Sequence, residues 1–340
     1  MRVNGLMGSL RWWFEGIVRA MGRKACDPTE GACEYDPKKN PFHGLCPVCW
    51  LFGTTGWARR FRLTGTGLHA SDWCIMAAPE VARLHENWLR RVYKPGSKVL
   101  WGDVLKLQFT RHFPGNKATE ATDLDSIFCG LVNAISRFGA LAAKAQNGFG
   151  VVGWRETPQF DRTALSHFVN AFPEDGESGG MFNIGETTFF EFTVPNAGRY
   201  ATPTPEMKIP RSANPDYLSR VLPIAYDIRY KSSTRQFRTG AGRDRGIRPA
   251  LKIVLGRQAE EVVGTSARTN NRSASRVFVS HLYRLTPRDP YRFRSWIHVP
   301  PGLVRQRPAV TVAIQNVVTE MFPDSSCKLY TWVDFQKEVL

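Results

Sequence analysis

Between Gly8 and Arg23 the apolar residues Leu10, Trp13, Phe14, Ile17, Val18 and Met21 recur every three or four positions, which gathers them on one face of a helix. Ser9 stands where an N-cap would. A second stripe begins near Asp125 with Ile127, Phe128, Leu131, Ile135, Phe138 and Leu141. It predicts a helix ending at Asn147-Gly148, residue types that tolerate the left-handed C-cap conformation. Val81, Leu84, Trp88 and Val92 predict a third helix over Glu80 to Tyr93.

Alternating runs predict strands: Leu105, Leu107 and Phe109, then Leu222, Ile224, Tyr226, Ile228 and Tyr230, together with Thr187 to Val194 and Arg276 to Leu285. From Tyr291 to Val299 the alternation separates Tyr291, Phe293, Ile297 and Val299 from Arg292, Arg294, Trp296 and His298. One face suits a core, and the other is basic and aromatic. Helices and strands alternate irregularly without the signature of a parallel crossover, which points to an α+β fold. Pro173 to Gly180 is short, polar and rich in glycine, so the domain boundary is expected near residue 180, giving domains of 1–180 and 181–340.

Composition narrows the partner. Apolar residues at 42% and charged residues at 22% are values of a folded chain rather than a disordered one. Lys and Arg number 46 against 30 Asp and Glu, a formal charge of +16 that draws a polyanion, nucleic acid foremost. The charge is clustered: Arg229, Lys231, Arg235, Arg238, Arg243, Arg245 and Arg248 face the single acid Asp244, with Gly240, Gly242 and Gly246 between them. Glycine lets backbone approach phosphate closely, and the guanidinium fork pairs with it. Such a loop grips RNA phosphate or meets an acidic partner subunit. Arg292, Arg294 and Trp296 join it as candidate RNA contacts, since an exposed basic and aromatic strand face stacks bases and neutralises phosphate, with an ordinary exposed strand as the alternative. No run approaches the roughly 20 apolar residues of a membrane span, and no signal-peptide core is evident, so a cytoplasmic protein is expected.

Four of the seven cysteines, Cys26, Cys33, Cys46 and Cys49, fall within 24 residues as C-x6-C-x12-C-x2-C. Thiolates at this density suit structural Zn²⁺, with His43 able to replace one sulfur. Unligated thiols and redox chemistry are the alternatives. A closed four-ligand site leaves no open position for a reacting water.

Three segments carry a resemblance: Gly8-Ser9-Leu10-Arg11-Trp12-Trp13-Phe14, Cys46-Pro47-Val48-Cys49-Trp50-Leu51-Phe52-Gly53, and Gly148-Phe149-Gly150. Together they resemble the RAMP superfamily of CRISPR proteins, and the first is similar to the opening helix of the first subunit of type III-B Cmr complexes. The resemblance implies two RRM-like (ferredoxin-like) domains, with the zinc loop, about residues 26–55, inserted in the first and the Arg-rich loop in the second. It implies CRISPR guide RNA, target RNA and other Cmr RAMP subunits as partners. Arg11 and Trp12 lie off the apolar stripe of the first helix by spacing and are expected to reach RNA or a neighbouring subunit, and the resemblance places Lys144, Gln146, Asn147, Gly148, Phe149 and Gly150 near guide RNA. Catalytic relatives are the rival expectation, as guide-processing or backbone nucleases. A backbone nuclease needs an acid in a loop ahead of the first helix, where these residues offer none, and a processing nuclease needs a histidine base. The seven histidines are scattered, so no catalytic residue is expected.

Overall fold

The computed structural model describes residues 3–27, 31, 33–66, 73–75, 98–100, 106–112, 122–141, 145, 148, 150–154, 156–174, 182–197, 220–222, 224–229, 246–264 and 275–340. Helix α1 spans Val3–Ala20 and buries Leu6, Leu10, Trp13, Phe14, Ile17 and Val18, as the spacing requires. It begins earlier than a Ser9 cap would allow. Leu6 extends the buried stripe one turn back, and Ser9 Oγ–H instead donates to the Gly5 carbonyl at 3.1 Å within the helix. Gly22, at φ +72°, ends it, with Arg23 N–H bonded to Val18 O at 3.1 Å.

Short helices α2 (Pro41–Gly44) and α3 (Pro47–Phe52) follow, then β1 (Phe61–Thr66), β2 (Trp73–Ile75), β3 (Lys98–Leu100) and β4 (Lys106–Arg111). β1 pairs with β4 and β2 with β3, both antiparallel. Helix α4, Leu124–Phe138, is capped by the Asp123 carboxylate accepting from Ser126 N–H at 3.1 Å. It stops at Gly139, well before Asn147-Gly148. Gly139 is extended there, and a Cβ on it would lie 2.5 Å from the Trp13 ring, so the chain turns off where α1 crosses. Leu141 is buried beyond the helix end. The helix expected over residues 80–93 lies outside the described residues. Helix α5 is Ala164–Asn170.

The second half holds β5 (Thr187–Val194), β6 (Val221–Leu222), α6 (Ala225–Arg229), α7 (Ile247–Leu255), α8 (Ala259–Val263), β7 (Val277–Val279), β8 (Leu282–Tyr283), β9 (Tyr291–His298), α9 (Arg307–Met321), β10 (Ser326–Tyr330) and α10 (Trp332–Val339). The expected strand from Leu222 to Tyr230 is replaced by a helix over Ala225–Arg229. Ile224 and Ile228 are one helical turn apart and both buried, and Ala225 N–H is taken by His281 Nδ1 at 3.2 Å, so α6 forms instead. The run from Arg276 is broken between β7 and β8, because Ser280 Oγ–H bonds the His281 carbonyl and Ser280 N–H bonds Arg294 O.

Strand order β10-β5-β9-β7, with α7 between β5 and β7 and α9 between β9 and β10, is the β-α-β-β-α-β arrangement of a ferredoxin-like sheet. The mixed α+β architecture with antiparallel sheets is consistent with that class. One sheet face carries Phe190, Phe192, Val194, Tyr291, Phe293 and Ile297 into a core with α7 and α9. The opposite face carries Phe189, Phe278 and Trp296 into a core with α1, α4 and α10. Side chains from both sides of residue 180 thus share the first core, and Phe335 of α10 lies 5.0 Å from Phe138 of α4. Among the described residues no helix is long and apolar enough to cross a membrane.

Candidate metal centre and nucleic-acid interface

The sulfurs of Cys26, Cys33, Cys46 and Cys49 all lie within 4.8 Å of one another. Four sulfurs about 2.3 Å from a tetrahedral Zn²⁺ would stand about 3.8 Å apart. The observed cluster is of that size and could hold a metal ion. Its scaffold is local: Cys46 caps α3, its sulfur accepting from Cys49 N–H at 3.3 Å, while Cys46 N–H donates to Cys33 Sγ at 3.3 Å. Backbone donors aimed at sulfur stabilise thiolate, the form that binds metal. S–H donation, chiefly from Cys26, pulls Cys33 strongly down and holds Cys49 at about 7. Cys26 and Cys46 are pushed up by the same shared hydrogen bonds, with Cys33 and Cys26 respectively as the main partners. His43, in the α2 turn, is not in the cluster.

Next to this centre is a residue that sequence reading missed. Arg60 is 2% exposed, and its guanidinium lies 3.4 Å from the Trp57 ring centroid and 5.8 Å from that of Trp50. Nε and Nη1 have no hydrogen-bond partner among the described residues, and desolvation lowers its pKa to about 10. Aromatic faces take the place of a carboxylate. The sequence signal available for it is the nearness of Trp57 and Trp50 in the chain.

On α1, Arg11 Nε–H donates to Glu15 Oε1 at 2.9 Å, and Trp12 stacks on Phe182 with ring centroids 3.7 Å apart at 11°. Trp13 is core, as its place in the stripe requires, and its Nε1–H donates to Ala140 O at 3.2 Å. Gly148 and Gly150 adopt φ of +89° and +85°. A Cβ on Gly150 would meet Leu141 O at 1.9 Å, and one on Gly148 would meet the Ala225 Cβ at 2.5 Å. Gly148 is buried and its carbonyl accepts from His281 N–H at 3.1 Å. Gly150 is therefore fixed by its close approach to the Leu141 backbone within the first half, and Gly148 by a crossing with the second half at Val279 and His281, which leaves buried Gly148 no surface to offer RNA. Lys144, Gln146, Asn147 and Phe149 lie outside the described residues.

The helix, the sulfur centre and the glycine crossing occupy one continuous stretch of chain. Residues 2–152 match the family model of the RAMP superfamily. The match supports RAMP membership, and that superfamily is associated with CRISPR effector complexes. No curated protein and no solved structure gives a match.

The remaining candidates lie beyond the RAMP match. Arg292 is half exposed on β9, its Nη1 4.0 Å from Glu191 Oε1. Arg294, on the same face, donates from Nη1 to Val152 O at 3.3 Å, reaching back to the end of the RAMP-matched stretch. Arg248, in α7, donates from Nη2 to Gly264 O at 2.8 Å and so caps the end of α8. Arg235, Arg238, Arg243 and Arg245 lie outside the described residues.

Trp296 requires a correction. It is not an exposed stacking surface on the sheet: α1 covers that end of β9, and Trp296 is 6% exposed, stacked on Phe278 at 3.6 Å and edge-on to Trp13 at 5.4 Å. His298 beside it is also buried. Its Nδ1 meets Arg276 Nη1 at 3.1 Å and its Nε2 meets Glu186 Oε2 at 3.0 Å. Burial, then Arg276 and Arg307, hold its pKa at about 4, so the ring is neutral, accepting from Arg276 and donating to Glu186. The structure thus splits the basic and aromatic strand face into an accessible end with Arg292 and a covered end with Trp296.

Proposed function

We propose that this chain is a non-catalytic, RNA-binding subunit of a type III-B CRISPR (Cmr) effector complex, holding guide or target RNA near one end of the assembly. The RAMP match over the stretch that contains the Leu-Arg-Trp-Trp helix and the Cys-Pro-Val-Cys turn carries this reading. A charge of +16 and a ferredoxin-like sheet with Arg292 and the partly exposed Arg294 at the open end of one face support it, since RRM-like sheets hold single-stranded RNA on exposed faces and loops. On this reading the first half is a second RRM-like domain and the two divide near residue 180.

Cys26, Cys33, Cys46 and Cys49 would hold Zn²⁺. Bound there, the ion supplies a fixed charge that keeps four crowded thiolates together and closes the loop from Cys26 to Trp57; with four protein ligands it has no position for a substrate. His298 supports the non-catalytic reading, because both of its ring nitrogens are engaged and its low pKa leaves a weak base. The test is incubation of the purified chain with labelled guide and target RNA in Mg²⁺ or Mn²⁺. Retention without cleavage is expected. Specific cleavage abolished by one substitution in this chain would replace the reading with a RAMP-type nuclease.

A further inference from the structure

The covered end of the sheet is not completely filled. A cavity of about 530 Å³ lies between α1 and the β7–β9 edge, within the ~300–1,000 Å³ typical of small-ligand sites. Its walls are aromatic and already ordered. Phe278 and Trp296 form one stacked pair and Trp12 and Phe182 another, at 13° and 11° between ring planes. Trp13 stands edge-on to both, 5.5 Å from Trp12 and 5.4 Å from Trp296.

The α1 side of the cavity is made by Gly5, Gly8, Ser9 and Trp12, a spacing that sets them along one helical face. Gly5 and Gly8 are exposed, and a Cβ built on either would meet no atom within 4 Å. The missing side chains leave the cavity open beside the Trp12 ring. Neither glycine has the positive φ that would explain its presence, and Gly8 lies in the helix interior, where glycine costs about 1 kcal/mol against alanine.

One guanidinium at the cavity is positioned for an anion. Arg276 lines it, held by the neutral His298 ring, which Glu186 anchors from the other side. The other charged groups on the lining are Arg19, Glu15 and Asp27, of which Glu15 is paired with Arg11 at 2.9 Å and with Arg19 at 3.7 Å. Flat aromatic walls, room beside them and a positioned guanidinium together match a nucleotide: a base that stacks and a phosphate that pairs.

We infer that this cavity binds one nucleotide unit, its base lodged among the aromatic walls beside Gly5 and Gly8 and its phosphate toward Arg276. The occupant is a base splayed out of single-stranded RNA, which rests on the RNA-binding reading above, or a free mononucleotide of the same chemistry.

Gly8→Leu tests this by filling the space with a residue that favours the helix more than glycine does. The full chain and the variant are titrated with fluorescent single-stranded RNA and, separately, with AMP and UMP, alongside thermal melts. The expected result is a loss of about ten-fold in RNA affinity with the melting temperature unchanged or raised and the salt slope flattened by about 0.7, the one phosphate contact at Arg276 that leaves with the base. RNA affinity unchanged but AMP or UMP binding abolished would assign the cavity to the free nucleotide. Wild-type protein that binds mononucleotide and no RNA would uphold the cavity and overturn the RNA-subunit reading. Equal affinities of wild type and variant for all three ligands would overturn the inference. If Gly8→Leu lowers the melting temperature, Gly5→Leu, one turn away on the same face, gives the same readout.

Discussion

Replacing Cys46 and Cys49 with serine removes two of four sulfurs, among them the Cys46 sulfur that caps α3. The six residues of α3 are too few to be helical alone, so its geometry depends on that cap, on packing and on any bound ion. Packing is substantial: Val48, Trp50, Leu51 and Phe52 are buried, and Trp50 lies 5.1 Å from Phe168 while Phe52 lies 5.8 Å from Phe14. By contrast Lys38 and Lys39, midway between Cys33 and Cys46, are exposed and hold no core position. Loss of an ion present at 1,000 times its dissociation constant withdraws about 4 kcal/mol, a large part of the ~5–15 kcal/mol that stabilises a typical domain. The expected outcome is one zinc per wild-type chain, none in the double variant, and trypsin cleavage at Lys38 and Lys39 at least tenfold faster in the variant, with residues 275–340 still protected. Elemental analysis with timed proteolysis provides the check. Acid should release the metal, because protons compete with it for all four thiolates. Freshly reduced wild-type protein without metal, or equal cleavage rates, would refute the reasoning.

Trp296→Ala should destabilise the fold by about 3–5 kcal/mol in chemical denaturation, the cost of emptying a buried aromatic site; a change under about 1 kcal/mol would return Trp296 to the surface. Gly150→Ala should cost at least about 2 kcal/mol, since a left-handed backbone penalty adds to the clash with the Leu141 carbonyl, and a neutral substitution would contradict the close approach described above. Stability should also fall on acidification. Burial holds His281 at about 3 and His298 at about 4, both below the unfolded value near 6.5, so between those values the unfolded chain binds protons that the folded chain refuses. Each contributes a loss of up to about 1.4 kcal/mol per pH unit below 6.5, opposed in part by Glu15 and Glu186, whose carboxyls burial raises. Urea midpoints at pH 7 and pH 5 measure the net effect, and a higher midpoint at pH 5 would contradict it.

Periodicity revealed what periodicity controls. The α1 stripe, the β5 run and the core face of β9 read correctly because each buries a regular set of side chains against one partner. Leu222 to Tyr230 misled because buried Ile224 and Ile228 satisfy period two and one helical turn equally, and the deciding bond comes from distant His281. Trp296 misled for a similar reason. Alternation puts it opposite Phe293, yet only the return of α1 across the sheet decides that this second face is covered at one end and open at Arg292. The sulfur cluster was legible from spacing, since its ligands are close in sequence. The aromatic cavity was not, because Trp12, Phe182, Phe278 and Trp296 come from separate elements and share no local pattern.

The central claim, that this chain holds single-stranded RNA largely through phosphate contacts, is tested most directly by filter binding across a range of salt. Each neutralised phosphate contributes about −0.7 to the log-log slope on single strands. The account predicts a steep slope for the wild-type chain that flattens by roughly two to three units when Arg235, Arg238, Arg243 and Arg245 are all changed to alanine, with affinity falling alike on every sequence. No retention of RNA at low salt would contradict the claim outright. An unaltered slope in the folded quadruple variant would move those arginines from RNA to a neighbouring subunit.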